Sequence, residues 1–252
     1  MSINLKKDSI KKGIHSVLQS IKQTIQCIGL PFICTDRALD LCQDCAQYLP
    51  WLKHGCRSCA IPLLNSTATV CGRCLKQPFP FYKVCVLFSY TTVIQRLIVG
   101  LKFHGHLLYA EILGQLLAES IKMDYQGQDW PQILIPVPLH TQRLRERGFN
   151  QAMELARPLQ RILNIKIDYK SCTRIRSTLA QSTLSAPQRI ANLKNAFQVK
   201  LARKYEHVAL LDDVMTTGQT VIELGRLLYQ LGVKRVDVWC CARTHLGSLT
   251  QI

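Results

Sequence analysis

The sequence has no long hydrophobic run. Its apolar stretches are short, as in Ile133 to Val137, which contains a proline, whereas a membrane-spanning helix needs roughly 20 apolar residues. We also recognise no cleavable signal sequence, because Met1 to Lys12 is charged and polar residues such as Lys22 and Gln26 interrupt the apolar positions that follow. A hydrophobic content of 48% argues against extended disorder. We therefore expect a globular, cytoplasmic protein.

Acidic residues are scarce: there are 16 of them against 32 lysines and arginines, a formal net charge of +16. From Leu139 to Glu206 the sequence has 14 basic and only 4 acidic residues. This charge favours polyanionic partners, namely nucleic acid, phosphorylated metabolites or an anionic membrane surface. Aromatic residues are few as well, at 7%. Tyr82, Phe88, Tyr90 and Phe103 lie close in sequence and could stack on nucleic-acid bases, although filling a core is the more common role.

Cysteine, by contrast, is abundant and clustered, with nine of the twelve cysteines between Cys27 and Cys85. Six of them form three C-x-x-C pairs: Cys42 with Cys45, Cys56 with Cys59, and Cys71 with Cys74. In a chain without a recognisable export signal this pattern favours metal over disulfides. Two such pairs supply the four thiolates of a closed structural zinc site. The last two pairs have eleven residues between them, a zinc-ribbon-like spacing, and are the predicted Zn²⁺ ligands.

Spacing does not settle how the pairs combine. Cys42 and Cys45 could replace either of the other pairs, or join Cys34 and Cys27 in a second zinc site. The remaining cysteines are predicted to be small buried hydrophobic residues. They are Cys85, Cys172, Cys240 and Cys241.

An amphipathic helix is predicted before the cysteines, because apolar residues recur at helical spacing from Ile10 to Ile28 with lysines opposite. Such a helix usually packs on its own domain, although peripheral membrane contact is an alternative. Gln77 to Pro80 contains two prolines and reads as a linker. The predicted domains are this helix over residues 1–30, a zinc-ribbon module over 31–80 and a further domain over 81–252.

Strands and helices alternate in that last domain. The predicted strands are Val84–Tyr90, Ile133–Val137, Ile165–Tyr169, Val208–Leu211 and Val236–Cys241. The predicted helices are Val93–Leu101, Leu107–Ile121, Asn150–Leu163 and Thr220–Leu231. This alternation predicts an α/β fold with a mostly parallel sheet and helices on both faces. In such folds ligands bind beyond the carboxyl ends of the strands.

The strongest local motif is Val208 to Thr220, VALLDDVMTTGQT. Its apolar residues predict a buried strand that ends at two carboxylates, Asp212 and Asp213, which can accept hydrogen bonds from vicinal ribose hydroxyls. Capping of the next helix explains one acid but not two. The residues that follow offer hydroxyls, backbone N–H groups and a helix N-terminus to a phosphate. They are Val214, Met215, Thr216, Thr217, Gly218, Gln219 and Thr220.

This motif resembles the signature of type I phosphoribosyltransferases that binds phosphoribosyl pyrophosphate (PRPP). The resemblance implies that Asp212 and Asp213 are the catalytic acidic pair and that PRPP binds with Mg²⁺. Two segments are rich in arginine. The first contains Arg143, Arg145 and Arg147, whose guanidinium groups suit phosphate or pyrophosphate oxygens, and a solvated loop with a helix start is its alternative. The second is a long polar stretch from Cys172 to Phe197 with Arg174, Arg176 and Arg189, which is predicted to form a lid over the PRPP site, with disorder as its alternative.

Together these motifs resemble the ComF family, the competence protein F type of double zinc ribbon and phosphoribosyltransferase protein. The matching segments are, in order, CGRCLKQPFPF, LKFHG, PVPLHTQRLRERGFNQA, TLAQSTLSAPQRIANLKNAF and LLDDVMTTGQT. They cover nearly the whole chain from about Cys34. The family usually opens its cysteine module with another C-x-x-C, whereas here Arg37 stands where the second cysteine is expected. This departure argues against a complete second zinc site.

The resemblance implies a cytoplasmic protein that supports natural transformation and handles incoming single-stranded DNA with competence helicase and recombination proteins. It places the PRPP loop at Asp212 to Thr220 and the pyrophosphate-side segment at Arg143 to Gln151, which includes Arg147 and Asn150. Two functions stay open at this point. One is a catalytic phosphoribosyltransferase of nucleotide metabolism, and the other is a module that binds PRPP or a nucleotide and engages single-stranded DNA.

Overall fold

The computed structural model of the protein describes residues 48–63, 67–176 and 195–245. Several predictions concern residues outside these ranges. They are the N-terminal helix over residues 1–30, the ligands Cys27, Cys34, Cys42 and Cys45, and the central part of the predicted lid with Arg189. None of the described helices is both long and apolar enough to cross a membrane.

Strands and helices alternate along the described residues. The strands are β1 Lys83–Ser89, β2 Ile133–Pro136, β3 Cys172–Arg174, β4 Phe197–Val199, β5 His207–Met215 and β6 Arg235–Arg243. The helices are α1 Gly72–Lys76, α2 Thr92–His104, α3 Leu107–Asp124, α4 Thr141–Arg147, α5 Gln151–Leu163 and α6 Gln219–Gln230.

Four strands form the central sheet in the order β1-β6-β5-β2, and every pairing in it is parallel. The carboxyl ends of these strands therefore meet at one edge. β3 and β4 form a separate antiparallel pair, which flanks the predicted lid. The α/β fold with a parallel sheet, preceded by a cysteine cluster, is confirmed.

The two faces of the sheet carry separate hydrophobic clusters, because successive strand residues point to opposite faces. Ala209 and Leu211 pack in a cluster with α2, α3 and α5. Val208 and Leu210 pack in the other, which contains α6 and the four cysteines of the two described C-x-x-C pairs. The cysteine module thus covers the sheet beside α6. Helices lie on both faces, as the alternation predicted.

α3 and α5 approach closely on the first face. A Cβ built on Gly114 of α3 would lie 2.3 Å from Cγ of Pro158 and 2.8 Å from the carbonyl oxygen of Leu155, both in α5. Real Cβ atoms do not approach other heavy atoms so closely, so the absence of a side chain at Gly114 lets the helices pack at this distance.

The predicted strand Ile165–Tyr169 is wrong. Only Ile167 bridges to β2, opposite Leu134. The reason lies in Asp168, whose Oδ1 accepts hydrogen bonds from the backbone N–H groups of Lys170, at 3.0 Å, and Ser171, at 2.9 Å. An aspartate that bonds its own downstream backbone turns the chain and ends the pairing.

Candidate functional site

Asp212 and Asp213 lie inside β5, which continues past the predicted end at Leu211 to Met215. The strand continues because its pairing with β6 does, with Asp212 opposite Cys240. Consecutive strand residues face opposite sides, so the two carboxylates start out from different faces of the sheet. Asp213 is buried and Asp212 half-buried.

Two side chains from the helices of the first face hold Asp213. Lys102, from α2, forms an ion pair with Oδ2 of Asp213. Gln151, the first residue of α5, donates from Nε2 to Oδ1 of Asp213 at 3.3 Å. Arg147, at the end of α4, donates in turn to Oε1 of Gln151. Three separate segments thus converge on one carboxylate.

The surroundings give the two carboxyl groups different acidities. Burial raises the pKa of Asp212 to about 8, and the negative charge of Asp213 acts in the same direction. Burial would also raise the pKa of Asp213, but the charge and hydrogen bond of Lys102 hold it below its usual value. The raised pKa of Asp212 favours its protonated form and the lowered pKa of Asp213 its ionised form, so a ligand or cation that binds both carboxylates would displace a proton.

The loop after β5 leads directly into α6. Gly218 is the N-cap residue of α6 and has a left-handed φ of 80°, a conformation that favours glycine. Thr217 is buried, and its hydroxyl accepts a hydrogen bond from the N–H of Gln219 at 3.4 Å. The loop borders a small open depression at the positive end of the α6 dipole. The lining residues are Asp212, Val214, Met215, Thr216, Gly218, Thr220 and Val221.

Three of the predicted arginines lie together beside the acidic pair. Burial lowers the pKa of Arg174 to about 10, and the charge of Arg143 lowers it further while that of Asp212 opposes the shift. Burial and Arg143 also lower the pKa of Arg147, against the charge of Asp213. The charges of Arg143, Arg147 and Arg174 are therefore close enough to influence one another, and those of Arg147 and Arg174 also interact with the acidic pair.

Asn150 and His140 both serve as helix caps. Oδ1 of Asn150 accepts from the N–H of Ala152 at 3.0 Å, and its Nδ2 donates to the carbonyl oxygen of Val137, also at 3.0 Å. Asn150 therefore fixes the start of α5, where Gln151 reaches Asp213. His140 caps α4 by accepting from the N–H of Gln142.

The four cysteines of the two described C-x-x-C pairs form a compact cluster. The Sγ atoms of Cys56, Cys59, Cys71 and Cys74 all lie within 4.8 Å of one another, and all four residues are buried. Sγ of Cys59 and Sγ of Cys71 are 3.7 Å apart, too far for a disulfide. A tetrahedral site with Zn–S bonds of about 2.3 Å requires sulfurs about 3.8 Å apart. The cluster is consistent with structural zinc.

Backbone hydrogen bonds prepare one of these thiols for metal binding. Burial alone would raise the pKa of Cys56. Backbone N–H groups, including that of Cys71 at 3.3 Å from Sγ, donate to this sulfur and outweigh burial, so that the net pKa is lowered to about 7. A thiol must lose its proton to bind a metal ion, so a lowered pKa favours that step.

The four neighbouring aromatic residues separate into different settings. Phe88 is fully buried in the core and Tyr90 is half-buried, whereas the side chains of Tyr82 and Phe103 are 61% and 70% exposed. Phe103 follows Lys102 in the sequence, and the guanidinium carbon of Arg147 lies 5.5 Å from its ring centroid. Phe103 thus forms an exposed aromatic surface beside the acidic pair.

Sequence reasoning missed Lys102 and Arg243. Lys102 lies within the LKFHG segment, which carried the family resemblance without a role for the lysine. Arg243 is buried at the carboxyl end of β6 and bonds Met215, the last residue of β5, and Thr216 in the loop that follows. A basic residue at the end of an apolar strand was the available signal, but its partners lie far away in sequence.

Comparison with known proteins shows to which family the chain belongs. The chain is 37% identical over 206 residues to the DNA utilization protein YhgH of Escherichia coli K12, covering 81% of this chain and 90% of that protein. It is 35% identical over 224 residues to competence protein F of Haemophilus influenzae, covering 87% of this chain and 96% of that protein. A scan against models of protein families gives no match.

Among solved structures, a mutant hypoxanthine phosphoribosyltransferase from Trypanosoma cruzi is similar over 56% of this chain and 75% of that chain, with 14% identity and a TM-score of 0.35. This structural likeness is weak, and the family assignment does not depend on it. The two sequence relatives are matched over almost their entire length. The chain therefore belongs to the family of competence protein F and the DNA utilization protein YhgH.

Proposed function

We propose that the protein binds PRPP, or a related ribose phosphate, with Mg²⁺ at the loop from Asp212 to Thr220, and that it supports the handling of single-stranded DNA in natural transformation. The observation that carries the proposal is the contact of Asp213 with Lys102, directly before a glycine-containing loop and a helix N-terminus. Carboxylates next to N–H groups and hydroxyls match a ligand with vicinal hydroxyls and a phosphate.

Each part of the site then has a role. Asp212 and Asp213 would accept hydrogen bonds from the ribose hydroxyls, and the loop would hold the 5′-phosphate through N–H groups and threonine hydroxyls. The guanidinium groups of Arg143, Arg147 and Arg174 would bind the pyrophosphate. Mg²⁺, when bound, would neutralise charge on the pyrophosphate. The four clustered cysteines would hold one structural Zn²⁺.

The exposed ring of Phe103 favours binding of single-stranded DNA at the rim of this site. Unstacked bases can stack on an exposed aromatic ring while arginines contact the phosphates. Arg147 already lies over that ring. Three further parts of the proposal rest on the sequence. The family resemblance supports a cytoplasmic location and competence helicase and recombination proteins as partners, and the amphipathic pattern of the N-terminal segment supports peripheral membrane contact.

Isothermal titration calorimetry with PRPP and Mg²⁺ tests the ribose phosphate site. We expect binding by the wild-type protein and a strong loss in Lys102→Met, because Asp213 would lose its charge partner. Arg161→Met is the matched control, since Arg161 pairs with Glu111 on an exposed surface. Absence of PRPP binding by the wild-type protein would contradict the proposal. Release of pyrophosphate with any purine or pyrimidine base would show that the site is catalytic.

Fluorescence anisotropy with a labelled oligothymidylate tests the DNA contact. Because base stacking contributes about 1–3 kcal/mol per base, Phe103→Ala should weaken binding roughly tenfold or more at low salt. Tyr169→Ala is the control, because Tyr169 is also exposed and lies below a cation, Lys170. Equal losses in both variants would argue against a specific contact at Phe103.

A further inference from the structure

Arg243 connects the cysteine cluster to the loop of the ribose phosphate site. It lies at the carboxyl end of β6, and only 1% of it is exposed. Its Nε donates to the carbonyl oxygen of Cys59 at 3.0 Å. Its Nη1 donates to the carbonyl oxygens of Met215, at 2.8 Å, and of Thr216. A single rigid guanidinium group therefore joins a predicted metal ligand to two consecutive residues of the loop.

The cysteine module itself contacts the next two loop residues, Thr217 and Gly218. Arg73, which lies between two of the clustered cysteines in sequence, donates from Nη1 to the carbonyl oxygen of Thr217 at 3.4 Å. The ring of Phe79 lies against Gly218, where a Cβ would come within 2.6 Å of Cζ. Residues 215 to 218 are thus each contacted by Arg243 or by the module. The module forms one wall of the loop.

Charge gives this connection a dependence on metal. None of the ion pairs found among the described residues includes Arg243, although its guanidinium is buried. A buried cation without a counter-charge is unfavourable. Four thiolates around one Zn²⁺ carry a net charge of −2, and Cys59, whose carbonyl oxygen Arg243 bonds, is one of the four cysteines. Bound metal therefore supplies the missing counter-charge beside Arg243.

The position of Arg243 can affect a ligand at the loop because it sets the orientation of the peptide units there. Each peptide unit is planar and trans, so a fixed carbonyl oxygen also fixes the N–H group on the opposite side of the same unit. Because Arg243 holds the carbonyl oxygens of Met215 and Thr216, it also orients the N–H groups of Thr216 and Thr217 away from itself. N–H groups in such a loop are the donors that a phosphate requires.

We propose that Arg243 is a positioning residue that couples metal occupancy of the cysteine cluster to ribose phosphate binding at the loop. This rests on the proposed function of the loop. Zinc at the cluster would tighten PRPP binding about tenfold, a usual size for coupling between two sites. Thermodynamic reciprocity requires that PRPP tighten zinc binding by the same factor.

The test uses the full-length protein and PRPP with excess Mg²⁺, before and after zinc removal by a zinc-selective chelator. In the wild-type protein, calorimetry should show about tenfold weaker PRPP binding after zinc removal. Arg243→Lys keeps the charge but loses the fork that reaches both segments. It should bind PRPP weakly in either state, with little further change on zinc removal. Arg226→Lys is the control, because Arg226 is a surface residue of α6 paired with Glu223, and it should behave as wild type.

Equal losses on zinc removal in wild type and Arg243→Lys would overturn the role of Arg243, and no loss in either would overturn the coupling. If zinc removal unfolds the protein, the rate of zinc transfer to the chelator with and without PRPP is measured instead. PRPP should slow transfer from the wild-type protein but not from Arg243→Lys, and equal slowing in both would contradict the proposal.

Hydrogen exchange tests the role of Arg243 independently of PRPP binding. If the wild-type protein binds no PRPP at all, the proposed function fails, but exchange at the N–H groups of Thr216 and Thr217 needs no ligand. These groups should exchange more slowly in the zinc-loaded protein than in the zinc-free protein, and the difference should be absent in Arg243→Lys. An equal difference in both proteins would contradict a coupling through Arg243.

Discussion

Two buried aspartates on neighbouring strands of the same sheet have opposite surroundings. Asp213, toward the carboxyl end of β5, faces Lys102 and adjoins a second carboxylate and an open loop. Asp237, near the amino end of β6, is fully enclosed. Its Oδ2 accepts from the hydroxyl of Tyr125 at 2.5 Å and lies 2.6 Å from Nε2 of His207.

The difference separates an aspartate suited to binding from one suited to structure. Oδ2 of Asp237 has two internal partners, and Trp239 extends the network by donating from Nε1 to the Tyr125 hydroxyl at 3.1 Å. Among the described residues, Oδ1 of Asp237 and Nδ1 of His207 are buried without a hydrogen-bond partner. Asp213, by contrast, lies next to a second carboxyl group, Asp212, whose pKa is shifted in the opposite direction, and both lie beside a solvent-accessible depression. Burial alone therefore does not identify a functional carboxylate, whereas burial beside a second acid at an open strand end does.

The largest expected effect is on stability at the enclosed end. Asp237→Ala removes the acceptor for Tyr125 and His207 and leaves buried donors without a partner, which should lower the free energy of unfolding by about 3 kcal/mol. Urea denaturation measures this loss. The affinity of the folded protein for PRPP should stay within about twofold of wild type, since the substitution is remote from the loop. A large loss of affinity with intact stability would show that Asp237 also contributes to ligand binding.

The next effect is on binding at the open end. Asp213→Asn keeps the shape of the side chain but removes the charge that Lys102 pairs with and that ribose hydroxyls would bind, so PRPP affinity should fall about 100-fold, or about 2.7 kcal/mol. Calorimetry with Mg²⁺ measures it. Asp237→Asn is the matched substitution at the enclosed end. If both asparagine variants bind PRPP as wild type does, Asp213 has no binding role.

The different pKa values of Asp212 and Asp213 predict that PRPP binding depends on pH. Because the pKa of Asp212 is raised to about 8, PRPP binding that needs its carboxylate must release a proton below that pH. The affinity should fall by up to tenfold for each pH unit from 8 to 6, and Asp212→Asn should remove this slope. Calorimetric titrations over that range measure it. A slope that persists in Asp212→Asn would assign the proton to another group.

The same raised pKa affects the stability of the ligand-free protein. A carboxyl group whose pKa is higher in the folded than in the unfolded state favours the folded state at low pH, and this contribution is lost as the pH rises through about 8. Unfolding by urea should therefore become easier for wild type between pH 6 and 9, relative to Asp212→Asn. Parallel curves for the two proteins would contradict the assignment.

The smallest expected effect comes from the outer part of the enclosed network. Tyr125→Phe removes one donor to Asp237 and the acceptor for Trp239 while keeping the ring, which should cost about 1 kcal/mol of stability. Thermal unfolding measures it, with Tyr229→Phe as a control whose hydroxyl bonds the exposed carbonyl of Pro80. A larger loss than that of Asp237→Ala would show that the aspartate does not organise the network.

Most strands and helices, and the cysteine cluster, could be predicted because local sequence patterns encode them. The apolar stretch Val208 to Leu211 predicted a buried strand, and C-x-x-C spacing predicted the ligands that the structure brings together. The end of β5 was missed because acidic residues usually terminate strands, whereas here pairing with β6 carries the strand through Asp212 and Asp213. Local sequence does not reveal such pairing.

The partners of charged residues were the least predictable part. Lys102 meets Asp213, and Arg243 meets Cys59, only after distant segments fold together. Both residues stand out afterwards as charges in apolar surroundings. Asp237, within the apolar strand that ends in WCCAR, carried the same signal, and its buried partners Tyr125 and His207 explain it.

The missing side chain at Gly114 has a consequence for the evolution of the site. Because α3 and α5 touch at Gly114 and Pro158, any larger residue at Gly114 would push α5 outward. Gln151 begins α5, so its distance from Asp213 depends on that contact. An evolutionary substitution at Gly114, which is buried away from the ligand site, would then alter ligand affinity. We therefore expect substitutions at Gly114 and Pro158 to occur together.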